Sequence, residues 1–148
     1  MAKSVRAAMS TSAKLESEGT FLEMGNTRVR LARAGGTNHA FNAAIQAAHK
    51  KWGRAIELDV LPDERSRELL YDIYARHVVK SWETDTAPEG SEPDWREGIE
   101  GPQGVEPATV ENIVAFFTDV PDFFLECKKH AEGSQFYRQA LLDEAVKN

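Results

Sequence analysis

Residues 29–45, VRLARAGGTNHAFNAAI, decide how the fold begins. Apolar and charged residues alternate from Val29 to Leu31, which is typical of a half-buried strand. Two glycines, Gly35 and Gly36, follow, and the chain then takes up helical spacing. The order of strand, glycine turn and helix is found where proteins hold a phosphate, and also where a strand simply turns tightly into a helix.

The residues around the glycines favour the second interpretation. A P-loop ends in lysine followed by serine or threonine, but the first lysine after the glycines is Lys50. A dinucleotide fingerprint needs three spaced glycines in a βαβ unit, and only two adjacent ones are present. We therefore interpret Gly35-Gly36 as a structural corner. Thr37 or Asn38 caps the helix that follows, Phe41 anchors it, and no cofactor is expected.

Length and composition are those of one globular domain. The chain has 148 residues, of which 41% are hydrophobic and 28% charged, with a net charge of −6. This balance argues against general nucleic-acid binding, which needs a basic field. No apolar run approaches a membrane span, and the N-terminus lacks the apolar core of a signal peptide. The single cysteine, Cys127, excludes an internal disulfide and favours a reducing compartment.

Periodicity predicts a mainly α fold, with about five helices and a small N-terminal β-hairpin. The hairpin turns at Gly25-Asn26, between two short β-type runs. The helices are predicted over residues 38–52, over residues 61–83, from the Thr109 cap to Phe117, from Pro121, and from Ser134 to the C-terminus.

Two segments, residues 1–18 and 83–107, differ in composition from the predicted helices. Residues 1–18 are small and polar and are expected to form a flexible tail, so the single folded domain is predicted over 19–148. Residues 83–107 contain eight acidic residues against one arginine, and four of the six prolines. We expect an acidic loop there that is either mobile or functional, with a small hairpin between Ile99 and Val105.

Candidate catalytic and metal groups all have a simpler explanation. Cys127 and His130 share a helix face, but a zinc site needs more protein ligands than these two. The carboxylates of Asp119, Asp122 and Glu126 suit a helix start and its dipole better than acid–base chemistry. No nucleophile motif is present. We therefore predict no metal, no catalytic residue and no enzymatic activity.

Two aromatic pairs, Phe116-Phe117 and Phe123-Phe124, leave two alternatives open. Neighbouring helix positions point about 100° apart, so both members of a pair cannot enter one narrow core stripe. Either these helices are buried on two sides, or part of the aromatic surface is left for a partner helix. The four phenylalanines are the candidate partner-binding residues.

The order of these features resembles the tail assembly chaperones of long-tailed bacteriophages and related gene-transfer agents. The resemblance rests on NTRVRLARAGGTNHAF, on YARHVVKSWE, and on the segment from ATVENIVAFF through VPDFF to the C-terminus, and it covers residues 20–148. The stretch TDTAPEGSEPDW departs from the pattern as an insertion.

The resemblance implies a cytoplasmic, non-enzymatic protein of the infected host. Such proteins bind the tape measure protein, a long helical chain, and keep it soluble while tail tube subunits polymerise around it. It also implies a homo-oligomer, contact with the tail tube protein, and a longer frameshifted form as further partners. The alternatives are a structural virion protein, such as a head–tail connector or minor tail protein, and a small nucleotide-binding enzyme.

Overall fold

The computed structural model describes residues 4–57 and 63–147. Its α-helices are α1 (Val5–Met9), α2 (Ala13–Glu18), α3 (His39–Glu57), α4 (Asp63–His77), α5 (Val110–Asp119), α6 (Pro121–Glu132) and α7 (Gln139–Lys147). Its strands are β1 (Thr20–Met24), β2 (Thr27–Leu31), β3 (Val79–Asp85), β4 (Trp95–Glu97), β5 (Ile99–Gly101) and β6 (Gly104–Glu106). A 3₁₀ turn, Ser134–Tyr137, links α6 to α7.

The prediction of a mainly α fold is wrong. The N-terminal hairpin exists and turns at Gly25-Asn26, but it is half of a four-stranded antiparallel sheet in the order β1-β2-β3-β4. A second sheet is formed by β5 and β6. The fold is therefore α+β, with helices packed on one face of the main sheet.

The misplaced element is the end of the helix predicted over 61–83, residues 78–83. Within the described residues that helix spans Asp63–His77, and the chain then becomes β3; positions 61–62 lie outside the described residues. Trp82 fits a helical stripe with the apolar residues before it, but it also fits an alternation in which Trp82 and Thr84 are buried and Glu83 is not. The strand prevails because β2 pairs along it, with Val29 opposite Trp82.

Twelve of the 25 residues in the acidic segment 83–107 lie in strands, so the segment is not one long loop. Antiparallel pairing of β3 with β4 places Asp85 opposite Trp95. The Asp85 carboxylate accepts backbone hydrogen bonds from Ala87 and Asp94, at 3.0 and 2.8 Å, which closes the connection between the strands. The predicted small hairpin is confirmed as β5–β6, where Ile99 pairs with Glu106.

Residues 4–18, expected to form a flexible tail, fold into α1 and α2. Thr11 bridges to Arg138, and the Ser12 amide donates to the Tyr137 carbonyl at 2.8 Å. Ser12 and Glu16 are 3% and 1% exposed. This segment is polar, and it is held by hydrogen bonds to the start of α7 and to the glycine corner.

At the glycine corner, Asn38 is the central residue. The side-chain oxygen of Asn38 accepts from the Phe41 amide at 3.3 Å and so caps α3. Its side-chain nitrogen donates to the carbonyls of Arg33 and His77, both at 2.9 Å. One buried side chain thus joins the segment after β2, the start of α3 and the end of α4. Phe41 is buried, edge-on against Tyr74 at 5.5 Å.

Beside Asn38 lies a buried carboxylate, that of Glu16. It accepts hydrogen bonds from Arg33 and from the hydroxyls of Thr11 and Thr37. A buried charge is tolerated only when it is paired and hydrogen-bonded in this way. Gly36 lies directly against this carboxylate with a φ of 54°, so a Cβ there would collide with Glu16 Oε2. The corner therefore requires glycine for both its backbone angle and its lack of a side chain.

We expect Gly36→Ala to lower the free energy of unfolding by about 2–3 kcal/mol, because it adds displacement of Glu16 to left-handed backbone strain. Gly25→Ala is the matched control, since Gly25 has a φ of 58° and nothing near its Cβ position. It should cost only about 1 kcal/mol. Urea denaturation of both variants measures the difference, and equal losses would contradict this account of the corner.

Candidate functional site

The four phenylalanines predicted to bind a partner lie mainly in the core. Phe117, Phe123 and Phe124 are 0%, 8% and 3% exposed, while Phe116 is half-buried. The turn at Val120 lets α5 and α6 converge, so that Phe117 packs edge-on against Phe124 with ring centroids 5.1 Å apart. Phe116 packs in the same way against Phe123 at 5.7 Å.

Partners from other elements explain why both members of each pair are covered. Tyr71 and Tyr74 of α4 contact Phe124 at 4.6 and 5.1 Å between ring centroids. On the other side, Trp82 of β3 contacts Phe116 and Phe123 at 5.1 and 5.6 Å. Thus α5 and α6 are buried on two sides, between α4 and the sheet. Phe116 and the edge of Phe123 reach a surface pocket, which Met24 and Val120 also line.

The two chemically reactive candidates, Cys127 and His130, are both buried within the fold. Cys127 is fully buried, and burial raises the pKa of its thiol to about 12. His130 is 6% exposed, stacks on Phe136 with ring centroids 4.1 Å apart, and places Nε2 2.7 Å from Thr20 Oγ1. Burial lowers the pKa of His130 below its usual value. Within residues 4–57 and 63–147, no group of three potential metal ligands occurs.

The exposed carboxylates remain apart from any enclosed site. Asp119 ends α5, and Asp122 lies in the first turn of α6, where a negative charge complements the helix dipole. Asp122 and Glu126 line the shallow pocket near Phe116. Only Asp122 therefore matches the helix-dipole interpretation, since α6 has no side-chain cap hydrogen bond and Glu126 lies in the middle of that helix.

An apolar surface groove lies between α3 and α4. It has a volume of about 270 Å³. Ile45, Trp52, Leu70 and Ile73 are half-buried there, so their outer faces remain accessible. The groove is lined on α3 by Ile45, Ala48, His49 and Trp52, and on α4 by Ser66, Leu69, Leu70 and Ile73.

Most residues of this groove belong to the apolar helix stripes seen in the sequence, but the sequence did not show that these stripes line a groove. Ile45, Ala48 and Trp52 belong to the apolar stripe of α3, and Leu70 and Ile73 to that of α4. Ile45, Leu70 and Ile73 are partly buried and pack against the core, so one side of each stripe is covered and the other is accessible. An apolar stripe wider than the core-facing side of its helix would have been the available signal.

The matching family model covers most of the chain and explains its origin. The model described as YdaY prophage protein matches residues 36–148. The chain belongs to the YdaY prophage protein family. No curated protein and no solved structure matches it. The expected bacteriophage origin is confirmed.

The match begins at Gly36 and includes α3 to α7, so the groove and the aromatic core both lie within the region shared by this prophage family. Among the helices that the structure describes, none is both long and apolar enough to cross a membrane.

We expect Phe124→Ala to destabilise the fold by about 3–5 kcal/mol, because it removes a ring that contacts two tyrosines and Phe117. The control is Leu125→Ala, since Leu125 is 57% exposed on the same helix; its cost should be within about 0.5 kcal/mol. Thermal and urea unfolding measure both. A Phe124→Ala protein of unchanged stability would show that this ring is not a core element.

His130 should make stability depend on pH. A histidine whose pKa is lowered by folding binds protons better in the unfolded chain, so stability is full above the ordinary pKa of about 6.5 and falls as the pH drops below it. While folded His130 stays neutral, each further pH unit costs about 1.4 kcal/mol.

The measurement compares urea midpoints between about pH 7.5 and pH 5.5, where histidine titrates. His130→Gln should flatten the decline, whereas His39→Gln, at an exposed position, should leave it unchanged. A decline of the same size in all three proteins would assign it to other groups.

Proposed function

We propose that this prophage protein is a tail assembly chaperone that binds a helical segment of the tape measure protein and keeps it soluble during tail tube assembly. The observation that carries the proposal is the apolar groove between α3 and α4. A tape measure protein is a long helical chain, and an amphipathic helix places its apolar face in such a groove.

The chemistry of the groove suits a helix better than a small polar ligand. Ile45, Leu69 and Ile73 offer aliphatic surface, and Trp52 adds a large aromatic face at one end. The guanidinium of Arg65 lies 5.7 Å from the centroid of the Trp52 ring. A client helix with leucine-like residues on one face and a carboxylate near Arg65 would match both features.

Binding of this kind requires no catalytic group, and we propose a non-enzymatic role. A chaperone that holds an aggregation-prone helix must itself remain soluble, and the net charge of −6 favours this. We also propose that the protein is a homo-oligomer in the host cytoplasm and that it releases its client to the tail tube protein. A frameshifted longer form would be a further partner.

Co-expression with the tape measure protein of the same prophage tests the proposal. The client should become soluble and co-purify. Leu69→Glu should weaken the complex about tenfold or more, because it places a charge among apolar groove residues. Arg67→Gln is the matched control, since it also lowers the net charge by one, on an exposed position of α4 outside the groove.

Circular dichroism melts of both variants check that the fold is intact before binding is compared. A client that stays insoluble with the wild-type chain, or equal binding by the two variants, would contradict the proposal. Mass spectrometry of purified particles separates it from the structural alternative, because a head–tail connector or minor tail protein would be stoichiometric in mature virions.

A further inference from the structure

The outer edge of the main sheet, formed by β1, is open. Phe21 and Met24 are 48% and 44% exposed, and Glu23 is also exposed. In the sheet order, β1 pairs with β2 on one side only. An open strand edge presents a row of backbone donors and acceptors that can pair with another chain.

The hairpin register determines which backbone groups point outward. Met24 pairs with Thr27 across a two-residue turn, so the backbone N–H and C=O groups of Met24 point toward β2. Those of Leu22 and Thr20, two and four residues away, point the same way. The N–H and C=O groups of Phe21 and Glu23 must then point away from β2. No residue that the structure describes forms a hydrogen bond with them.

We infer that this edge pairs with β1 of a second copy of the chain, antiparallel and centred on Leu22. This register places Phe21 opposite Glu23 of the second copy, and each such pair exchanges two backbone hydrogen bonds. The two-fold axis forms the pair twice and places Leu22 against Leu22. The two sheets become one continuous sheet, and the open edge is covered.

Side-chain chemistry selects a second copy in this register. Phe21 already packs over Arg30 of β2, whose guanidinium carbon lies 4.7 Å from the ring centroid. Glu23, which has no ion pair within the described part of the chain, would arrive on the other side of that ring. Its carboxylate would then complement Arg30 across the interface.

The other registers allowed by the outward groups are poorer. Centring on Glu23 would oppose two carboxylates, which is unfavourable across a strand pair. Centring on Phe21 would move Glu23 opposite Gly19, where the strand has ended. The self-complementary sequence of β1, TFLEM, therefore specifies one pairing.

The opposite edge is less suited to such pairing. β4 has only three residues, and one of them, Glu97, already lies opposite Glu83. A second copy that paired through β4 would bring further carboxylates close to these two. The proposal is accordingly confined to β1, and it stands whether or not the chain binds a tape measure protein.

The test uses the purified full-length chain in sedimentation velocity over a concentration series, with hydrogen exchange of individual amides. Wild type should approach twice its 16.5 kDa as concentration rises, and the amides of Phe21 and Glu23 should gain protection in parallel. Glu23→Pro should raise the dimer Kd roughly tenfold or more, because it removes an outward donor while an edge strand tolerates proline.

Glu23→Gln is the control, because it retains the amide and the side-chain size; its Kd should change far less than that of Glu23→Pro. Glu23→Lys should weaken the dimer more than Glu23→Gln, since lysine would face Arg30 of the other copy. If circular dichroism shows that Glu23→Pro is unfolded, the lysine variant and the wild-type amide protection decide the question.

Three results would overturn the inference. One is a wild-type chain that stays monomeric at every concentration with unprotected edge amides. Another is self-association that Glu23→Pro and Glu23→Lys leave unchanged, which would place the interface elsewhere. The third is protection of Phe21 and Glu23 only when a different protein is added, which would assign the edge to an extended segment of that protein.

Discussion

The fold depends on one buried side chain, that of Asn38. Its oxygen caps α3, and its nitrogen holds the carbonyls of Arg33 and His77. Because His77 ends α4, this bond fixes where the helix stops and where β3 begins. The Ala32 amide then donates to the Val78 carbonyl at 2.7 Å, so β3 starts beside β2, with one register shift between Arg30 and Leu31. Neither an alanine nor an aspartate could supply this combination of one acceptor and two donors.

Local chemistry explains which parts of this fold the sequence could predict. The Gly25-Asn26 turn, the Asn38 cap and the Thr109 cap each depend on residues within a few positions, and each is present in the structure. β3 could not be predicted in the same way. Trp82 satisfies a helical and a strand period equally, and the choice is made by β2, about fifty residues earlier in the chain. A non-local partner outweighs local periodicity here.

The aromatic pairs illustrate the same limit at the level of a site. Their sequence showed that α5 and α6 each present two apolar directions, but not what covers them. Tyr71 and Tyr74 on one side and Trp82 on the other cover both, which leaves Phe116 half-buried beside a surface pocket that Phe123 also lines. In α3 and α4, partly buried apolar residues pack against the core on one side and remain accessible as a groove on the other. Burial by distant elements separates core from binding surface.

The outer face of the main sheet limits where partners can bind. Arg28 lies between the rings of Phe21 and Trp95, 5.5 and 4.4 Å from their centroids, and donates two hydrogen bonds to Glu83. A partner on this face would have to displace paired charges, which is costly. Binding at the β1 edge or in the α3–α4 groove does not require breaking the Arg28–Glu83 pair. The edge and the groove share no residue, and one suits a strand while the other suits a helix, so self-association and client binding would not compete.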